Sequence, residues 1–220
     1  MVVLPRFWGS LLAAILCAGS GFETPGVRIE DQLNLFSVDR RLISVNSVSG
    51  SVIETTLEIG EQIVRIESQG LVGVAATNVR LLGTTAGSVR FKPLRYRLEE
   101  REGLPAAVHV ADRVVLVALP QRVVALAATS AGWSELSLGP REVVKRAGAD
   151  SNLAVLVTDR RAVAFSPESG GFVEVALSPE EDIESLSLEE SSVTLQTPHR
   201  VLVFRPGMPV WTQLIRRDRR

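Results

Sequence analysis

The stretch TDRRAVAFSPESGGFVEV, Thr158 to Val175, recurs in altered form 39 residues later as TPHRVLVFRPGMPVWTQL, Thr197 to Leu214. Each copy has a short turn that ends in arginine, an apolar run, a second turn and a further run that opens on an aromatic residue. Short apolar runs bounded by Gly, Pro, Asn, Asp and Ser predict β-strands joined by tight turns. The recurrence predicts a repeat, and the repeated unit decides the fold.

An arginine ends the corresponding turn in five successive units, at intervals of 39, 42, 39 and 39 residues. These turn arginines are Arg41, Arg80, Arg122, Arg161 and Arg200. The residues three positions later are small to medium: Ser44, Gly83, Ala125, Ala164 and Val203. The residues eleven positions later are β-branched or aromatic: Val52, Phe91, Trp133, Phe172 and Trp211. Several columns that agree over five copies indicate a structural repeat rather than chance.

Each unit divides into four short extended runs, and the two middle runs are apolar on both faces. Strands of this kind are covered on both sides. Four antiparallel strands in each unit of this length predict a β-propeller blade. We therefore predict an all-β, five-bladed β-propeller over residues 26–214, with blades at about 26–58, 61–98, 104–139, 142–178 and 182–214. The alternatives are a β-sandwich and a partial propeller completed by a partner chain.

The segment VLVTDRRAVAFSPESGGFVEVAL resembles the quinoprotein-type (PQQ-like) propeller repeat. The resemblance covers mainly the third to fifth units, and GMPV replaces the glycine turn in the fifth. It implies the propeller architecture and carries over no active residues, so we expect no cofactor. The Gly-His and Trp-Asp pairs typical of WD-repeat blades are absent from the sequence.

The N-terminal segment has the layout of a secretory signal peptide, predicted over residues 1–20. Arg6 precedes an apolar run from Phe7 to Ala18, and cleavage is expected after Gly19 or Ser20. The predicted protein is secreted or periplasmic. In the alternative it is lipid-anchored through Cys17, although the residue before that cysteine is Leu16 and not a small one. At the other end, residues 215–220 predict a short basic tail.

Composition narrows the class of partner. The 220 residues carry a formal net charge of −1, which gives no general bias toward nucleic acid. We expect a monomer that binds a protein or a polysaccharide.

Two sets of side chains are candidate binding groups. The first strand of each blade should line a central channel, and each such strand holds one polar residue among apolar ones: Arg28, Arg65, His109, Lys145 and Ser187. Such a lining would attract an anionic ligand. The five turn arginines form the second set and should lie on one face of the ring, where they would bind carboxylates of a partner. The structural interpretation is that each packs on a neighbouring blade and pairs with an acid there.

The acidic runs are predicted to be solvated loop surface. They contain Glu99, Glu100, Glu102, Glu180, Glu181, Asp182, Glu189 and Glu190. The two histidines, His109 and His199, lack the spacing of a metal site, so no metal is predicted.

A non-enzymatic binding or scaffold module is the first functional hypothesis. The alternative is a hydrolase or lyase acting on an anionic substrate at the channel mouth. In that enzyme His109 would act as acid or base, while Arg65 and Lys145 would bind charge. This alternative requires the three side chains to converge in one solvent-filled funnel.

Overall fold

A computed structural model describes residues 32–100, 107–179 and 181–216, and these residues form an all-β structure. The first blade contains β1 (Leu33–Val38), β2 (Arg41–Asn46) and β3 (Val52–Thr56). The second contains β4 (Ile63–Gln69), β5 (Val72–Thr77), β6 (Arg80–Thr85) and β7 (Lys92–Arg95). A short 3₁₀ helix, Leu98–Glu100, follows β7.

The remaining strands form three further blades. The third contains β8 (Ala107–Val110), β9 (Val114–Ala118), β10 (Arg122–Ala127) and β11 (Ser134–Ser137). The fourth contains β12 (Val144–Asp150), β13 (Leu153–Thr158), β14 (Arg161–Phe165) and β15 (Phe172–Ala176). The fifth contains β16 (Ser185–Glu189), β17 (Ser192–Gln196), β18 (Arg200–Phe204) and β19 (Thr212–Ile215).

Every sheet is an antiparallel meander in which strands adjacent in sequence pair with each other. The turn arginines open β2, β6, β10, β14 and β18, so the repeat read from the sequence matches the repeat of the structure. The segment GPREVVKRAG supplies the extended strand β12, as its place in the repeat predicts. The first strand predicted for the first blade, with Arg28, lies outside the described residues.

The hydrophobic core is divided into four clusters, and each lies between two successive blades. The four interfaces are those of blades one and two, two and three, three and four, and four and five. The middle strands of the second, third and fourth blades are buried on both faces, as their sequences predict. In contrast, β1, β3 and β19 keep exposed residues, because one face of each terminal blade is open.

The closest contacts between successive blades involve their first two strands, while the last strands diverge. This is the radial arrangement of propeller blades. Among the described strands, no substantial contact joins the fifth blade to the first. The blades are therefore observed, while closure into a ring and the exact domain limits stay predictions. No helix of the described residues is long and apolar enough to cross a bilayer.

The small residue three positions after the turn arginine lets neighbouring blades approach closely. A Cβ atom on Gly83 in β6 would lie 2.6 Å from a ring carbon of Trp133 and 2.7 Å from a methyl carbon of Leu126. The Trp133 indole nitrogen also donates a hydrogen bond to the carbonyl of Lys92, at 2.9 Å. The aromatic residue eleven positions after one arginine thus covers the preceding blade, as the repeat predicts.

Replacing Gly83 with alanine should lower the free energy of unfolding by about 1–3 kcal/mol, because the added methyl group overpacks this contact. The matched control is Gly87→Ala, where the new Cβ meets no atom within 4 Å. Denaturant titration of both variants measures the difference. Equal midpoints for Gly83→Ala and the wild type would contradict the close approach of these two blades.

Candidate functional site

The turn arginines of blades two to five each occupy the same polar junction between blades. The guanidinium Nε of Arg80, Arg161 and Arg200 donates to a glutamate 19 residues earlier, at 2.7–2.8 Å. In the third blade the separation is 22 residues. The four pairs are Arg80–Glu61, Arg122–Glu100, Arg161–Glu142 and Arg200–Glu181. Each glutamate lies in the connector from the preceding blade, and we call each pair with its surroundings a clamp.

The same guanidinium reaches the last strand of the preceding blade. Its Nη2 donates to a backbone carbonyl there, at 2.9 Å for Arg122 and Arg95, and at 2.6 Å for Arg200 and Ala176. One arginine therefore ties together three segments: its own third strand, the connector and the neighbouring blade. The acid pairing agrees with the structural interpretation of the sequence, although the carbonyl contact is to the preceding blade rather than the following one.

Each glutamate in a clamp has its acceptor positions filled. Glu181 Oε1 accepts from the Thr197 hydroxyl at 2.7 Å and from Arg200, while Oε2 accepts from Arg200 and from the Ser178 amide at 3.1 Å. Glu61 and Glu142 repeat this pattern. Such saturation is what permits a carboxylate to be buried.

Electrostatics agree with this geometry. The hydrogen bond from Arg200, which outweighs the effect of burial, lowers the pKa of Glu181 to about 2. Burial by itself would raise the pKa of Glu61 and Glu142, but the bonds from arginine, backbone amide and threonine together hold both values below the ordinary one. The glutamates are thus ionised at neutral pH and bonded within the fold.

The sequence-based placement of two acids on a solvated surface is wrong. Glu100 is fully buried, and Glu181 is 8% exposed. Both lie in charged runs, which suggested solvent exposure, but their constant position before the turn arginine would have revealed the pairing. Glu99, Asp182, Glu189 and Glu190 are exposed as predicted; Glu102 and Glu180 lie outside the described residues.

The turn arginines differ in how much surface they leave for a partner. The side chain of Arg122 is 5% exposed, whereas that of Arg41 is 50% exposed and pairs with Glu54 on its own blade. Arg80, Arg161 and Arg200 have side chains 12–21% exposed. A role of the five in partner binding stays a prediction, and Arg41 is the most accessible of them.

The structure brings together two of the residues predicted for the channel. Arg65 on β4 is ion-paired with Glu67, and both charges act on His109 of the neighbouring β8. Burial and the charge of Arg65 lower the pKa of His109, against the opposing effect of Glu67. His109 is therefore neutral at pH 7.

Lys145 and Ser187 are placed differently. A register shift between Val144 and Arg146 puts Lys145 in a bulge of β12. There it borders a cavity of about 420 Å³ with Arg146, Asp159 and other residues of blades four and five, and neither Arg65 nor His109 lines that cavity. Ser187 is exposed on β16. The single funnel required by the enzyme alternative is not formed by these residues, and Arg65 is already bonded to Glu67. Arg28 lies outside the described residues.

A groove that the sequence did not indicate runs along the last strand of the second blade. It has a volume of about 700 Å³ and lies between β3 and β11 of the neighbouring blades. Its lining includes Phe91, Trp133, Arg90 and Lys92. The Lys92 amine donates to the carbonyl of Ser130 at 2.6 Å, and burial lowers its pKa.

No protein-family model matches this sequence. No curated protein matches it either. Solved structures with similar folds include human WBSCR16, with 9% identity and a TM-score of 0.42 over 82% of this chain and 62% of that one. Prp20p from Saccharomyces cerevisiae, described with its binding to Gsp1p and histones, has 9% identity and a TM-score of 0.42 over 85% and 64%. AztD from Citrobacter koseri has 12% identity and a TM-score of 0.39 over 84% and 59%.

These similar structures are β-propeller proteins, which agrees with propeller repeats in this chain. This chain spans less than two thirds of the length of each of the three. Likeness at this level of identity concerns the fold alone.

The low pKa of Glu181 makes its contribution to stability depend on pH. Because the folded value, about 2, lies below the unfolded value of about 4.3, the contribution is complete above the unfolded value and is lost as the pH falls toward 2. Glu181→Gln should lower the free energy of unfolding at pH 7 by about 3 kcal/mol. The gap from the wild type should narrow in denaturant titrations at successively lower pH.

The control for this variant is Glu184→Gln. Glu184 pairs with Arg216, and the two side chains are 44% and 45% exposed, so the loss should be at most about 1 kcal/mol. A gap for Glu181→Gln that is constant from pH 7 to acid conditions would contradict an ionised, buried carboxylate.

Proposed function

We propose that this chain is a non-enzymatic binding or scaffold module, exported from the cytoplasm, that holds a partner in the groove along the second blade. One observation carries the proposal. The largest concavity found along the described residues lies on a rigid sheet edge and combines aromatic with cationic side chains. Such a mixture is typical of recognition surfaces, in which aromatic and arginine side chains supply most of the binding energy.

The groove is held rigid from both sides, which favours binding. Trp133 is fixed by its hydrogen bond to Lys92, and the Lys92 amine is fixed by the carbonyl of Ser130. The wall and the floor are therefore set before a partner arrives, which lowers the entropic cost of association.

The charges of the groove favour a protein partner that presents an acidic extended segment. Arg90 is exposed at the rim, whereas Arg80 and Glu135 in the lining are ion-paired within the fold. The groove thus offers a cation at its entrance and ring surface inside. A polysaccharide is the second candidate, because the rings of Phe91 and Trp133 border the groove.

The first-strand residues are the alternative recognition surface. Arg65, Lys145 and Ser187 are exposed and carry the ligand-binding role proposed from the sequence, with Arg28 in the same row. The quinoprotein-type repeat remains the proposed subtype of the blades.

Pull-down from the native extracellular or periplasmic fraction separates these surfaces. Arg90→Glu should reduce recovery of the partner about tenfold, since it reverses the charge at the groove. Arg65→Glu should leave recovery unchanged, and Arg141→Glu, on an exposed connector between the third and fourth blades, controls for charge reversal itself. Bound protein is identified by mass spectrometry and bound carbohydrate by sugar analysis.

Loss of the partner with Arg65→Glu but not with Arg90→Glu would move the binding surface to the first strands. Equal recovery with all three variants would contradict both surfaces.

Export is proposed from the N-terminal sequence. Intact mass measurement of the mature protein should show a chain that begins after Gly19 or Ser20. A mass that includes acyl chains on Cys17 would establish the lipid anchor instead, and retention of Met1 and the following residues would contradict export by this signal.

A further inference from the structure

The two terminal blades expose the two halves of the interface that joins all other blades. On the first blade the open face carries Phe36, Val38 and Val52, which are 42%, 43% and 60% exposed. On the fifth blade the open face carries Met208, Val210 and Leu214, which are 44%, 60% and 58% exposed. Terminal units of repeat proteins usually carry polar outer faces, and apolar patches of this kind mark interaction sites.

The open face of the first blade has the chemistry of every face that packs on a preceding blade. Its Ile43 and Val52 correspond by position to Leu82 and Phe91, which belong to the core cluster between blades one and two. Its Arg41 corresponds to the arginines of the clamps, but among the described residues its guanidinium meets only Glu54. The side chain of this arginine is therefore half exposed.

The open face of the fifth blade has the complementary chemistry. Val203 corresponds to Gly83, the residue that receives Trp133 from the following blade. The carbonyl of Ile215 corresponds to those of Thr56, Arg95, Ser137 and Ala176, which accept from the clamp arginines. Val203 and Leu214 also line a shallow cavity of about 340 Å³.

The polar positions match as well. Asn34 on the first blade corresponds to Gly73, which contacts Leu35 of the preceding blade. The residue of the fifth blade that corresponds to Leu35 is Thr194, a hydrogen-bonding residue. A junction formed by the two open faces would thus place Asn34 against Thr194, Val52 against Val203, and Arg41 against the carbonyl of Ile215.

We propose that the first blade of one copy of this chain docks on the fifth blade of a second copy, in the geometry that joins successive blades within the chain. A second copy is favoured over the chain's own fifth blade because both faces are exposed in the same folded chain. The contact is heterologous, so the assembly is a larger ring or an open array rather than a symmetric dimer. This inference departs from the monomer expected from the sequence and does not depend on the groove of the second blade.

Site-directed crosslinking tests the docking. The chain contains one cysteine, Cys17, which is replaced by serine in all samples. Val52→Cys and Val203→Cys are then prepared as separate full-length chains, mixed, and treated with a short bismaleimide. The expected product is a covalent dimer that contains one chain of each kind, whereas neither variant alone should yield it. Val89→Cys, 88% exposed on the second blade, replaces Val52→Cys in the control mixture and should give no dimer.

Two further samples complete the experiment. Adding Arg41→Glu to the Val52→Cys chain should reduce the crosslinked dimer at least about tenfold, since the charge would then face a carbonyl oxygen. A chain that carries both cysteines is also treated at high dilution. An internal crosslink in that chain would show that its own blades close the ring and would overturn the proposal, as would the absence of dimer from the mixed chains.

Discussion

The structure depends on a buried ion pair between a connector glutamate and the arginine that opens the third strand of the next blade. Apolar faces pack without a preferred direction, so they alone do not fix the angle between two blades. The guanidinium does fix it, because its planar donors must meet both the carboxylate and a carbonyl of the preceding sheet. A buried ion pair adds little net stability compared with apolar packing. Its contribution here is therefore to the geometry of the junction, repeated four times along the described chain.

The clamp also explains why the blades need no large core residues near their first strands. Val, Leu and Ala fill the clusters between blades, while the aromatic residues lie farther out, where the blades diverge. Trp133 and Trp211 each donate an indole hydrogen bond to a carbonyl of the preceding blade. The junction is thus closed by small residues inside, by the ion pair at one end and by an aromatic ring outside.

The blades could be predicted from the sequence because the repeat states its own alignment. A column of arginine, a column of small residues and a column of aromatic residues place every described strand, including β12, where a helical pattern was the nearest competitor. The partner of the arginine was missed, because Glu100 and Glu181 lie in charged runs and a charged run by itself indicates solvent. The third blade also hides the pattern, since its connector is longer and Leu119 replaces the threonine of the other clamps.

The candidate site was less predictable, since it depends on register and on the space between blades. Bulges in β4 and β12 shift Arg65 and Lys145 relative to His109, so a row of equal sequence offsets does not become one cluster in space. The groove of the second blade arises from three separate strands and has no local sequence pattern. Offsets along one chain measure distance within a blade well, but distance between blades only where the register is regular.

The repeat also indicates where function is to be sought. Residues that recur in every blade are used for packing: the arginines in clamps, the small residues beneath aromatic rings, the aromatic residues on the preceding blade. A residue that departs from its column has no such duty. Arg90 stands where the other blades have Ser51, Gly132, Gly171 and Val210, and Lys92 stands where they have Ile53, Ser134, Val173 and Thr212. Both departures occur on the same strand edge and line the same groove. The packing of the second blade requires neither charge at these positions, so selection for a bound partner is the simpler physical account of their presence.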